Sequence, residues 1–81
     1  MELYELLEAV RDETTFVAFA KALLRDLREN EAEWENGTIE NFLEAGIAWA
    51  ESTQVGASQG LAAASPWKRA ASFLYCGKIY E

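Results

Sequence analysis

The chain has 81 residues, a formal charge of −7, one cysteine and no histidine. Its length makes one domain, and 51% hydrophobic residues are too many for a disordered chain. The missing histidine removes the commonest general base and metal ligand, and the lone Cys76 permits neither an intrachain disulfide nor a zinc site built from one chain.

The charge is lopsided. Residues 1–51 hold thirteen acids and four bases, a net of −9, and residues 52–81 hold one acid and three bases, a net of +2. A −9 half repels phosphate backbones and anionic lipid, so direct nucleic-acid binding and membrane docking are not expected. The opening Met-Glu-Leu-Tyr-Glu lacks the basic and apolar regions of a signal peptide. No apolar run is long enough to span a bilayer. Without a disulfide framework, the cytoplasm is the expected compartment.

Leu3, Leu7 and Val10 recur at helical spacing, with Leu6 beside them, and predict a helix over about 2–11. Asp12 to Thr15 then supply capping side chains. A second helix is predicted over 14–29. Its stripe is Phe16, Ala20, Leu23 and Leu27, widened by Phe19 and Leu24, and Lys21, Arg25 and Arg28 align on its polar side. Asn30 is a terminator, and residues 31–37 form a polar connection around Trp34, with Asn36-Gly37 as a turn signal.

Thr38 caps a third helix over 39–52, with Glu40 favourably placed in its first turn. Ile39, Phe42, Leu43, Gly46, Ile47, Trp49 and Ala50 give it a broad apolar face, and Glu40, Glu44 and Glu51 share another. Residues 53–64 are small and uncharged, and read as a flexible loop. Ser65-Pro66 then starts a fourth helix over 66–79, with Trp67, Ala70, Ala71, Phe73, Leu74, Gly77 and Tyr80 on its buried side. The expected fold is all-α: a compact bundle or orthogonal array of four helices in a single domain, 1–81.

The second half of the chain carries Trp34-Glu35-Asn36 with Thr38, Phe42-Leu43-Glu44-Ala45 with Ala48-Trp49, Trp67-Lys68, and Lys78-Ile79-Tyr80-Glu81. This pattern resembles a family of small, acidic, helical bacterial proteins of unknown function. The resemblance spans the chain through short motifs and implies a helical fold of this length. It supplies no activity, so no catalytic residue is carried over. It also implies a longer, more acidic and aromatic loop where this chain has the bland residues 53–64, so a working surface there would be blunted.

The remaining residues offer little chemistry. Cys76 sits in an apolar helical stretch, where cysteine acts as a small core residue. Glu31, Glu33 and Glu35 alternate, but lack the Asp-rich, glycine-centred loop of a calcium site. Gly56 and Gly60 lack the Gly-Lys-Ser/Thr ending of a phosphate loop. Gly46, Ala50 and Gly77 read as small residues that let helices pack closely. Trp49 and Trp67 read as core. Trp34, among glutamates, is either a lid folded onto the core or an exposed anchor of the kind that dominates interfaces.

No enzyme activity, cofactor or metal is therefore expected. The leading expectation is a non-catalytic acidic protein-binding module, inhibitor- or immunity-like, acting on a basic protein partner. Its candidate surface is Glu31, Glu33, Trp34, Glu35, Glu40, Glu44 and Glu51. The alternative is a homodimeric structural or assembly subunit, since so apolar a short chain can leave apolar surface to self-associate.

Overall fold

The structure is a computed structural model and describes residues 2–80. Among these residues it has four α-helices, α1 (Leu3–Glu8), α2 (Glu13–Asn30), α3 (Ile39–Thr53) and α4 (Pro66–Ile79), and no strand. Two single 3₁₀ turns, Glu31–Glu33 and Ala57–Gln59, stand in the connections.

The starts of α2, α3 and α4 follow from their capping side chains. Asp12 accepts a hydrogen bond from the Thr15 amide at 2.9 Å, Thr38 from the Asn41 amide at 3.1 Å, and Ser65 from the Lys68 amide at 3.2 Å. Pro66 opens α4, where its missing N–H has no cost. Helix α1 stops at Glu8, earlier than the expected 11. The last turn tightens there, with the Val10 amide bonding the Leu7 carbonyl at 3.1 Å, and Val10 stays in the core at 2% exposure.

The core joins Leu7 and Val10 to Phe19 and Leu23 of α2 and Ala71 of α4. Helix α4 packs against all three other helices, whereas the backbones of α2 and α3 do not approach each other. The α3–α4 seam is reciprocal. The Phe73 ring lies against Gly46, and the Phe42 ring lies against Gly77. The glycines thus receive rings rather than a neighbouring backbone. Trp49 is buried at 3% exposure, and its indole N–H donates to Gln59 Oε1 at 2.9 Å.

Residues 54–64 carry definite turn geometry. Gln54, Val55, Gly56 and Gly60 all have positive φ. The Arg69 guanidinium donates to the Val55 carbonyl from Nε at 2.9 Å and to the Gln54 carbonyl from Nη2 at 2.7 Å. The Thr53 hydroxyl donates to the Trp49 carbonyl and accepts from the Gly56 amide.

Two expectations are corrected and one apolar face proves uncovered. Trp67 is not core: it is 41% exposed, because at the start of α4 its ring meets Phe16 of α2 (centroids 5.5 Å apart) and is left partly open. Leu24, Ile39, Leu43 and Ile47, which the sequence placed on apolar helix faces, are also exposed, because α4 covers only one side of α3 and α2 does not pack against the other. Asn36-Gly37 makes no turn. Instead, the Asn36 amide donates to the Lys78 carbonyl and its side chain to the Tyr80 carbonyl, tying the connection to the end of α4.

Candidate functional site: an apolar groove with two charged rims

Because α2 and α3 stand apart, an open groove of about 370 Å³ lies between them. Leu24 and Leu27 form one wall, Ile39 and Phe42 the other, and Leu74 of α4 and Trp34 also line it. Among the described residues nine large apolar side chains are exposed, and two of them line the groove while four more share its helix faces by spacing. Leu24 and Ile39 line the groove itself. Val17 stands seven residues before Leu24, Trp67 seven before Leu74, and Leu43 and Ile47 four and eight after Ile39, spacings that put each on the same helix face.

Trp34 closes one end. Its ring stacks on Phe42 at 6.1 Å and its N–H donates to Asp26 Oδ2 at 2.8 Å. Lys78 donates to the same oxygen at 2.6 Å, with its ammonium 5.6 Å from the Trp34 ring centroid. Asn30 donates to the other carboxylate oxygen at 3.2 Å. The Lys78 hydrogen bond holds the Asp26 carboxyl below the usual carboxylate range against the opposing effect of burial, and Trp34 and Asn30 add to the lowering. Trp34 is thus a half-buried lid packed on the core, with its polar edge satisfied.

The rims carry opposite charge. On α2, Lys21 and Arg28 flank Leu24 at three residues before and four after, and Arg25 lies one step further round. On α3, Glu40 precedes Leu43 by three, and Glu44 and Glu51 flank Ile47 at three before and four after. All six are exposed, and none forms an ion pair with another described residue.

The predicted surface therefore divides. Glu40, Glu44 and Glu51 form the acidic rim, with Glu40 and Glu51 roughly 16 Å apart along the helix axis. Glu31 and Glu33 are exposed on the 3₁₀ turn that follows α2, and Glu35 is exposed just after the lid. Trp34 belongs to the groove's end. The sequence showed both groove walls as apolar helix faces, since periodicity reports that a face is apolar but not whether a neighbour covers it.

Other places offer less. Among the described residues, no group of three His, Cys, Asp or Glu converges to hold a metal ion. Cys76 is half-buried, and burial pushes its thiol up to about 11, which keeps it protonated near neutrality. Among the described residues no helix is long and apolar enough to cross a membrane.

Fold and site together define an all-α protein with an uncovered apolar groove between two charged rims. The chain belongs to a family of unknown function, DUF7660, which matches residues 12–81. The match begins at the Asp12 cap of α2 and leaves α1 outside it. No curated protein and no solved structure matches the chain.

Proposed function

We propose that this protein is a non-catalytic protein-docking module, and that the groove face of α2, α4 and α3 is its working surface. The observation that carries this reading is the open apolar groove lined by the exposed Leu24 and Ile39, with Val17, Leu43, Ile47 and Trp67 at helical spacing from its lining residues. A monomer this small gains stability from burying such residues, and a contiguous apolar patch with a charged rim is the anatomy of a protein interface. Trp34 and Phe42, stacked on each other, give the groove an aromatic end wall. The acidic rim supplies charge that speeds association with a complementary surface.

A photo-crosslinking amino acid placed at Leu43 or Ile47 tests this in cells that express the protein. Adducts with a protein are expected from both positions and not from Tyr4, which is somewhat more exposed, on α1. Absence of adducts from both groove positions would remove this face as a docking surface.

A further inference from the structure

Resting on the docking reading above, we infer that the occupant of the groove face is a second copy of this chain. The two copies are related by a two-fold axis running along the groove.

The argument is charge complementarity. The face has a basic edge on α2 (Lys21, Arg25, Arg28) and an acidic edge on α3 (Glu40, Glu44, Glu51), with apolar residues between. A uniformly basic partner would meet repulsion at the first edge, and a uniformly acidic one at the second. A second copy turned about an axis along the groove places its acidic edge over the first copy's basic edge, and the reverse on the other side. An axis across the groove would instead oppose like charges, so the rims select one orientation. Such an interface is isologous and closes on itself as a dimer. The same contact pairs the exposed stripe Ile39, Leu43 and Ile47 of one copy with the Val17 and Leu24 side of the other.

Each chain carries −7, so two copies repel at long range. Salt near physiological strength screens that repulsion beyond about 8 Å, while rim charges in contact interact at shorter distance. The excess acid also lies elsewhere in part: Glu2, Glu5 and Glu8 are on or beside α1.

Sedimentation equilibrium of the purified protein tests the inference, with circular dichroism confirming each variant's fold. The parent is expected to show a reversible monomer–dimer equilibrium. The pair Lys21→Glu/Arg28→Glu makes both edges acidic, and Glu44→Lys/Glu51→Lys makes both basic. Each alone is expected to weaken dimerisation by about tenfold or more, since each symmetric change reverses four rim contacts. Mixed in equal amounts, the two are expected to form a heterodimer, visible by native mass spectrometry, because every edge is complementary again. A parent that stays monomeric at millimolar concentration would overturn the inference. So would a dimer insensitive to both reversals, or reversed variants that do not recombine. If the Leu43 crosslink still forms to a different protein while the chain is monomeric, the docking reading stands and the second-copy occupant falls.

Discussion

The ring of Phe42 in α3 lies 2.8 Å from the point where a β-carbon on Gly77 of α4 would stand. An alanine there needs the ring to move. That movement is restricted, because the ring also stacks on Trp34. Gly77→Ala gains up to about 1 kcal/mol of helix propensity and loses about 1–3 kcal/mol to overpacking. A net destabilisation of about 1 kcal/mol is expected, read as a lower urea midpoint with unchanged slope. Gly37→Ala is the control: its φ is negative and nothing lies within 4 Å of the added methyl. There the reduced freedom of the unfolded chain gives a gain of about 0.4–1 kcal/mol. Equal midpoints for the two variants would show that Phe42 yields freely.

Asp26 gives the fold an acid-sensitive clasp. Its carboxyl is held low mainly by the Lys78 hydrogen bond, so at acid pH the folded state binds fewer protons than the unfolded one. The stabilisation is therefore present above the unfolded value, about 3.9, and is lost as pH falls through the lowered folded value. Glu8, lowered mainly by Tyr4 and also by Lys68, and Asp12, lowered by the Thr15 amide, act in the same direction. Asp26→Asn is expected to cost about 1–3 kcal/mol at pH 7, the usual worth of hydrogen bonds to a charged group. Its urea midpoint should also fall less than the parent's between pH 5 and acid pH. Parallel pH profiles would show that the clasp does not drive the acid sensitivity.

Val55 carries strain that can be relieved. Its φ is +53°, a region that β-branched residues avoid. The turn imposes it: the Val55 amide bonds the Ala50 carbonyl at the end of α3, while Arg69 holds the carbonyls of Gln54 and Val55. Asparagine tolerates that conformation, so Val55→Asn is expected to raise stability by about 0.5–1 kcal/mol, allowing for the partial burial lost. A lower melting temperature would mean that the Val55 side chain contributes more by packing than its backbone loses to strain.

Local chemistry was the legible part of this sequence. The caps at Asp12, Thr38 and Ser65, and the bounds 66–79 of α4, follow from side chains acting on their own neighbours. The part played by Gly46 and Gly77 in packing was also readable. What periodicity could not supply was which apolar faces meet. Leu43 and Trp49 look alike in the α3 pattern, yet one is 46% exposed and the other 3%, because α4 and the 57–59 turn pack on one side of that helix and α2 does not pack on the other. The turn at 54–56 was illegible for a related reason. The bonds to the Gln54 and Val55 carbonyls come from Arg69, a residue separated from the turn along the chain, and no local signal marks that partner. Likewise, the basic and acidic stripes were each visible on their helices, but that they edge one groove is a tertiary fact.

Ile47 and Trp49 stand two residues apart on α3 and should behave oppositely. Trp49→Ala removes a buried ring and its bond to Gln59, and is expected to cost about 3–5 kcal/mol, a large share of what so short a chain has. Ile47 is 49% exposed, so Ile47→Ser in the monomer should fall within about 0.5 kcal/mol of the parent. Concentration then separates a bare surface from a used one. A contact present only in the folded dimer adds stability that grows with protein concentration by mass action. At low micromolar protein, parent and Ile47→Ser should melt together. As concentration rises, the parent's melting temperature should climb and the variant's should lag behind. Concentration-independent melting of the parent would show that Ile47 and its stripe face solvent alone. A variant already unstable when dilute would return Ile47 to the core.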